Sequence, residues 1–197
     1  LAHRLGMAKL KWQLEDLSLK CLDLRAFNSI KKKIETSTRL NEDILSNTIR
    51  PIKSELSSYK IKSNIFGRYK SISSIHRKIE NRGKKFEDIY DLYAIRIVVD
   101  KIEECYLALG VIHSIYPPLQ DRFKDFIATP KTNGYQSIHT TVLTRDNRLT
   151  EFQVRTKDMD HTAEVGVAAH WLYKGNDEIG EFDSQVSWLR DLLSMLN

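Results

Sequence analysis

The residues of this sequence that could do chemistry lie in segments whose apolar patterns predict β-strands. Side chains alternate between the two faces of a strand, so Glu151, Gln153 and Arg155 share one face of a single segment. The preceding segment carries His139 in the same way. An acid, an amide, a base and an imidazole predict a polar binding face, although a solvated face or a structural histidine would give the same pattern.

Arg96 interrupts the apolar segment Tyr93–Val99, which is otherwise typical of a buried strand. A buried guanidinium is costly unless it is paired. A structural partner would be an acid such as Asp91 or Asp100. A functional partner would be a phosphate, or a base ring stacked on the guanidinium. The pattern alone leaves both interpretations open.

A predicted turn at residues 130–136 presents three groups that together suit a purine nucleotide. Lys131 could contact phosphate, Asn133 could hydrogen-bond the edge of the base, and Tyr135 could stack on it. The glycine after Asn133 strengthens the turn and lets the backbone approach a ligand. Lysine and asparagine are also common in turns that bind nothing.

A second basic segment lies upstream. Arg68 and Lys70 run into a predicted helix that carries Lys78. The N-terminus of a helix attracts phosphate through its free N–H groups and its dipole. The glycine-rich phosphate loop GxxxxGK[ST] is absent, so the segment is not of the Walker type.

Two carboxylates complete the set. Asp91 comes just before Tyr93–Val99, and Glu151 opens the last predicted strand. Carboxylate oxygens are ligands that Mg²⁺ prefers, and phosphoryl chemistry normally uses that ion. An aspartate before a strand is commonly a turn former. The metal pair is therefore predicted from its occurrence together with the basic residues.

The elements that position these residues follow from the apolar periodicity. The patterns predict helices over residues 10–24, 26–59, 71–82, 103–116, 159–173 and 182–196. They predict strands at residues 61–65, 93–99, 122–127, 137–144 and 149–156, the last two joined by a hairpin turn. This order predicts an α+β domain: a mixed β-sheet flanked by helices and preceded by a helical linker.

The composition supports a globular domain. Of the 197 residues, 41% are hydrophobic and 29% are charged, and no apolar run is long enough to span a membrane. Cys21 and Cys105 lie outside any metal-binding motif, so a reducing, cytoplasmic location is expected. The net charge of +5 suits a phosphate-rich ligand, small or polymeric. Without an initiator methionine or a leader, the chain is expected to be a piece of a longer protein.

Five motifs, in the right order, resemble those of the RelA/SpoT family of alarmone synthetases. They lie at residues 67–72, 90–96, 122–142, 151–156 and 163–171. The resemblance implies a nucleotidyltransferase-like sheet in residues 61–197. It also implies a Mg²⁺-dependent reaction in which pyrophosphate moves from ATP to the ribose 3′-hydroxyl of GDP or GTP, giving (p)ppGpp and AMP.

The resemblance further implies a role for each site residue. Arg68 and Arg96 would sandwich the adenine of ATP, and Lys70 and Lys78 would hold its phosphates. Tyr135 would stack on guanine. Asp91 and Glu151 would bind Mg²⁺, and Glu151 would also take the proton of the 3′-hydroxyl. The rest of the acceptor site would be lined by Lys124, Lys131, Asn133, His139 and Gln153.

Residues 1–60 are expected to form a helical linker that begins with the end of a hydrolase domain. No His-Asp dipeptide occurs, so the metal site of that hydrolase is not expected in this chain. Residues 122–125 resemble the basic form of a motif found in bifunctional members, which implies a bifunctional parent. Asp160 departs from the family, where many members have histidine. Any ribosome contact would belong to regions outside this chain.

Two other functions stay open at this point. One is a catalytically silent domain that binds guanine nucleotide and regulates a neighbour, which intact Asp91 and Glu151 disfavour. The other is a nucleic-acid-binding module, which would bind with a steep dependence on salt. The clustering of basic and aromatic residues in turns, rather than along one helix, disfavours it. Preference between GDP and GTP, and assembly into a homo-oligomer, are left open.

Overall fold

The computed structural model describes residues 2, 7–83, 86 and 93–165 of the chain, with the backbone alone at residues 38–41, 82 and 165. Three predictions lie outside the described residues. These are the position of Asp91, the part of the 159–173 helix beyond residue 165, and the helix at residues 182–196.

The strands of the described residues form a five-stranded mixed sheet in the order β1-β2-β5-β4-β3. The strands are β1 (Asn64–Tyr69), β2 (Tyr93–Val99), β3 (Lys124–Asp125), β4 (Ile138–Leu143) and β5 (Leu149–Thr156). At the centre, β2 and β5 pair in parallel, whereas the other neighbours are antiparallel. The predicted α+β class and mixed sheet are confirmed.

Helices cover both faces of this sheet. They are α1 (Ala8–Leu22), α2 (Leu24–Ser58), α3 (Ile72–Arg82), α4 (Ile102–Ile115) and α5 (Lys157–Val165). Within the described ranges, none of them has the length and apolar character that crossing a membrane requires.

Local sequence signals account for the ends of α3. The side chain of Ser71 caps its N-terminus by accepting a hydrogen bond from the backbone N–H of Ser74. Gly83 ends it with φ of 57°, in the left-handed region that glycine adopts without strain. Both ends agree with the predicted helix. In α2, Pro51 lies inside one continuous helix of 35 residues.

Two of the predicted strands differ from the observed strands in length or position. The strand predicted at 122–127 is only two residues long, because the Asp125 side chain accepts hydrogen bonds from the backbone N–H groups of Ile127 and Ala128 and turns the chain away. The strand predicted at 61–65 begins at Asn64 and continues through Tyr69, since it pairs along its whole length with β2.

The two faces of the sheet differ in chemistry. On one face Ile95, Ile97, Phe152 and Val154 are fully buried, and α4 and the end of α2 complete the main core there. The other face carries the polar side chains of β1, β2, β4 and β5. Helices α1 and α5 lie over that polar face, where they contact its arginines.

Helix α2 belongs to both apolar clusters of the described residues. Near its end, Ile52 and Leu56 are fully buried in the main core. Near its start, Ile30 packs with Ile75 of α3 in the smaller cluster. A functional boundary near residue 60 stays a prediction, but the packing makes α2 an integral part of the domain that the sheet anchors.

We expect Ile52→Ala to lower the free energy of unfolding by about 2–5 kcal/mol, because it leaves a cavity between α2 and the sheet. Leu22→Ala is the control: Leu22 is 87% exposed, so the change should be about 0.5 kcal/mol or less. Urea unfolding of both variants measures the difference. Equal stability of the two variants would show that α2 does not share the core.

Candidate functional site

One line of side chains crosses the whole polar face of the sheet. The strand register places Arg96 of β2 opposite Gln153 of β5, and Gln153 opposite His139 of β4. The line continues to Lys124 of β3 on one side and to Phe66 of β1 on the other. Four of these five residues were predicted as site residues, and the sheet brings them together from four strands.

A neighbouring line runs parallel to the first. Arg68 of β1 lies opposite Ala94 of β2, and Ala94 lies opposite Glu151 of β5. Thr141 of β4 follows Glu151 in the same register. The small side chain of Ala94 therefore separates the guanidinium of Arg68 from the carboxylate of Glu151.

Five polar side chains on this face form a closed hydrogen-bonded ring, which we call the polar ring. Arg155 Nη2 donates to Gln153 Oε1 at 2.9 Å and to Tyr135 Oη at 3.1 Å. Gln153 Nε2 donates to Glu151 Oε1 at 3.0 Å. His139 closes the ring, with Nδ1 3.1 Å from Glu151 Oε1 and Nε2 2.7 Å from Tyr135 Oη. The predicted sharing of a face by Glu151, Gln153 and Arg155 is confirmed.

One placement of the hydrogen atoms is consistent with all the contacts of the polar ring. Tyr135 Oη accepts from Arg155, so its own hydrogen is available to His139 Nε2. His139 Nδ1 then carries the hydrogen that points at Glu151. In this arrangement the tyrosine ring, the imidazole and the carboxylate each hold the next in a fixed orientation.

Glu151 is ionised at neutral pH. Burial opposes its ionisation, but it is outweighed by the hydrogen bonds from His139 and Gln153 and by the charges of Lys70 and of His139 in its protonated form. Together these lower the pKa of Glu151 from 4.5 to about 2. The site therefore presents a permanently charged carboxylate beside several cationic side chains.

Arg96 is almost fully buried, and its partners come from α5. Arg96 Nη1 lies 2.8 Å from Asp160 Oδ1 and 3.1 Å from Glu164 Oε1. Asp100, one of the two acids predicted as a structural partner, instead lies 2.6 Å from Lys157 Nζ. That prediction was wrong for Asp100, which follows β2 directly, whereas Arg96 is reached by a helix that packs across the sheet. Asp91 lies outside the described residues.

Arg155 is a site residue for which the sequence predicted a face but no role. Only 1% exposed, it lies 3.6 Å from Asp160, so this carboxylate approaches both buried guanidiniums. Among the described residues, Nε and Nη2 of Arg96 and Nε and Nη1 of Arg155 have no hydrogen-bond partner. The signal in the sequence that could have identified Arg155 as a site residue was its position on the same strand face as Glu151 and Gln153.

A cleft of about 430 Å³ opens beside the polar ring. Arg68, Lys70, Lys78, Arg77 and Gln153 line it, together with other residues of β1 and α3. Burial, followed by the charges of Arg96 and Arg155, lowers the pKa of Arg68 to about 10. The cleft is thus a concave basic site that contains the first three residues predicted to bind ATP.

The N-terminus of α3, predicted to attract phosphate, is engaged by side chains. Ser71 accepts from the N–H of Ser74, and Asp16 of α1 accepts from the N–H of Ser73 at 2.8 Å. The basic side chains that line the cleft, rather than these backbone groups, are therefore the groups through which the site could contact an anion.

On the other side of the polar ring, the turn at residues 130–136 holds Tyr135. Gly134 has φ of 73°, and its N–H donates to the carbonyl of Lys131. Asn133 Oδ1 accepts from the N–H of Tyr135 at 3.3 Å. Lys131 Nζ lies 5.0 Å from the centre of the Tyr135 ring. Burial and the nearby charge of Lys124 lower the pKa of Lys131. One lysine therefore lies beside this aromatic ring, and a second cation is near that lysine.

The described residues contain no cluster of three or more histidine, cysteine, aspartate or glutamate side chains that could bind a metal ion. Glu151 has the charge and the oxygen donors that a hard cation requires. Its predicted companion, Asp91, is outside the described residues, so the metal pair stays a prediction.

We expect His139→Ala to raise the pKa of Glu151 above its present value of about 2, because burial remains while the hydrogen bond and charge of His139 are lost. The depressed pKa also means that Glu151 contributes stability that is complete above pH 4.5 and is lost as the pH falls through about 2. Titration of the ¹³C-labelled glutamate carboxyl by NMR measures the shift.

His113→Ala is the matched control, since His113 bonds Thr140 on α4's side of the sheet. It should leave the pKa of Glu151 unchanged. An unchanged Glu151 titration in His139→Ala would show that the polar ring does not set the charge of the carboxylate.

Comparison with known proteins finds relatives that are much longer than this chain. A protein of Spiroplasma citri named guanosine-3′,5′-bis(diphosphate) 3′-pyrophosphohydrolase is 45% identical over 175 residues, covering 88% of this chain and 23% of the relative. The bifunctional (p)ppGpp synthase/hydrolase RelA of Mycobacterium tuberculosis is 42% identical over 202 residues, covering 98% of this chain and 27% of the relative. The chain thus spans about a quarter of the length of these curated relatives.

The fold also matches a solved structure. Small alarmone synthetase 1 of Bacillus subtilis, bound to its product pppGpp, superposes with a TM-score of 0.53 at 20% identity, covering 84% of this chain and 96% of the synthetase. Residues 67–178, more than half of the chain, match the family described as "Region found in RelA / SpoT proteins". The chain therefore belongs to the RelA/SpoT family.

Proposed function

We propose that this chain is a (p)ppGpp synthetase domain. In the reaction, the ribose 3′-oxygen of GDP or GTP attacks the β-phosphorus of ATP. The bond from that phosphorus to the oxygen bridging it to the α-phosphate breaks, AMP leaves with that oxygen, and the proton of the 3′-hydroxyl passes to water. The proposal joins the family membership to a site whose chemistry fits two nucleotides.

The observation that carries the proposal is the arrangement on the polar face. A cleft lined by Arg68, Lys70 and Lys78 opens at one end, and Tyr135 lies at the other with Lys131 beside it. Glu151 is between them: it shares a register line with Arg68, and His139 contacts both Glu151 and the Tyr135 hydroxyl. A donor in the cleft and an acceptor on Tyr135 would therefore meet at the carboxylate.

The donor half of the site would hold ATP. Arg68 and Arg96 are on adjacent strands and would offer planar cations to the two faces of adenine. Lys70 and Lys78 would neutralise the phosphates. Bringing two polyphosphates together costs free energy through charge repulsion, and fixed cations in a partly buried cleft reduce that cost.

The acceptor half would hold GDP or GTP. Tyr135 would stack on guanine, while Lys124, Lys131 and Asn133 would contact the nucleotide's phosphates and polar edges. Because His139 and Arg155 both hold the Tyr135 hydroxyl, the ring is oriented before the nucleotide binds. Such preorganisation is the main contribution a protein can make to phosphoryl transfer.

We infer that Glu151 serves as a ligand of Mg²⁺, together with Asp91, more than as a base. A carboxylate with a pKa of about 2 is a weak proton acceptor but a good ligand for a divalent cation. The ion would supply charge neutralisation on the transferred phosphates. The rest of the polar ring would keep Glu151 ionised and oriented.

The other two functions are less well supported. A nucleic-acid-binding surface would need cations spread along a face, whereas the basic residues here line a cleft and one turn. A silent regulatory domain has no need of a charged carboxylate between two nucleotide subsites. The cytoplasmic location, and contact with a ribosome only through regions outside this chain, stay predictions.

The test supplies the 197-residue chain with GDP, Mg²⁺ and ATP labelled at the γ-phosphate. We expect labelled ppGpp by thin-layer chromatography, and a loss of rate of about 100-fold or more in Glu151→Gln. Transfer of label only to water, or full activity of Glu151→Gln, would contradict the proposal.

Glu103→Gln is the matched control, because it makes the same chemical change on an exposed residue of α4. Its rate should equal that of the unmodified chain. Removal of Mg²⁺ with a chelator should abolish synthesis, and the synthesis should return when the ion is restored.

A further inference from the structure

Trp12 of α1 stacks on Arg68, one of the residues predicted to bind ATP. The guanidinium carbon of Arg68 lies 3.7 Å from the centre of a Trp12 ring, which is close for a cation over an aromatic face. Trp12 lies outside residues 67–178, the segment that matches the family. The sequence predicted a helix over residues 10–24 but gave no role to Trp12.

Helix α1 is fixed in place by polar contacts on the same side of the cleft. Asp16 accepts the hydrogen bond from Ser73 N–H at the start of α3. Glu15 Oε1 lies 3.1 Å from Arg77 Nη2. These contacts follow Trp12 by one turn of helix, so they determine where its indole lies relative to Arg68.

The indole does not close the cleft. Trp12 forms part of its wall, and about 430 Å³ remains open beside it, bordered by Lys70 and Lys78. Arg96, on the neighbouring strand, has a different ring nearby: its guanidinium carbon lies 5.7 Å from the centre of Phe66. Each arginine proposed to contact adenine thus has an aromatic ring of the protein beside it.

We propose that Trp12 is a positioning residue of the ATP site, which it serves by supporting one face of the Arg68 guanidinium and leaving the other for adenine. The inference rests on the proposed function. It makes α1 a component of the donor site, and not only a connection to whatever precedes it.

The physical reason is the flexibility of arginine. A free arginine side chain loses rotamer entropy when it is ordered. Stacking on Trp12 orders it before ATP binds, and the π face also stabilises a cation that is partly removed from water. The lowered pKa of Arg68 reflects that burial. Because this preorganisation affects binding rather than bond breaking, its loss should raise KM for ATP and leave kcat nearly unchanged.

The experiment measures binding of α,β-methylene-ATP, whose reacting bond is blocked, to the 197-residue chain by calorimetry. We expect Trp12→Ala to raise its Kd about 3- to 30-fold. Trp12→Phe, which restores an aromatic face, should recover part of the affinity. The Kd for GDP should not change in either variant. In the synthesis assay, KM for ATP should rise with kcat changed by less than about twofold.

Leu17→Ala is the matched control, since it truncates an apolar residue of α1 that is 58% exposed. Its Kd should equal that of the unmodified chain. If Trp12→Ala fails to fold by circular dichroism, Trp12→Leu keeps the apolar volume without the aromatic face, and its Kd decides instead.

Two outcomes separate the inference from the proposed function. If the unmodified chain binds the analogue and loss of the indole leaves Kd unchanged or lowers it, the role of Trp12 is refuted while the proposed function stands. If the unmodified chain does not bind the analogue at all, both are refuted.

Discussion

The burial of positive charge on one face of the sheet governs this structure. Arg96 and Arg155 are each 1% exposed, and Arg68 is close enough to both for their charges to lower its pKa. Taking guanidinium groups out of water is unfavourable unless anions and hydrogen-bond acceptors replace the water. Asp160 and Glu164 of α5 supply part of that compensation. Several donor atoms of Arg96 and Arg155 remain without a hydrogen-bond partner among the described residues.

In the polar ring, the buried guanidinium of Arg155 holds its neighbours in fixed orientations. Arg155 contacts both Gln153, which lines the cleft, and the hydroxyl of Tyr135 in the turn, so one buried cation orients a residue at each end of the site. His139, which contacts Tyr135, also contacts Glu151 and so fixes the orientation of its carboxylate. Glu151 stays ionised because its hydrogen bonds and neighbouring charges outweigh its burial. Removing one member would therefore affect both subsites and the carboxylate between them, because the contacts are shared.

The sequence predicted the local features of the fold and site well. Strand alternation correctly put Glu151, Gln153 and Arg155 on one face, because that relation depends only on the backbone between them. The acid partners of Arg96 were missed since they are 64 and 68 residues away along the chain, although Asp160 and Glu164 have the four-residue spacing of one helix face. The stacking of Trp12 on Arg68 also depends on how two separate elements pack. No pattern within either segment encodes it.

A crystal structure with α,β-methylene-ATP, GDP and Mg²⁺ is the most direct test of whether two nucleotides meet over this charged face, as we propose. We expect adenine between the guanidinium planes of Arg68 and Arg96, guanine on the ring of Tyr135, and the ion on Glu151. Electron density for either nucleotide away from this face, or guanine stacked elsewhere than on Tyr135, would contradict this proposal.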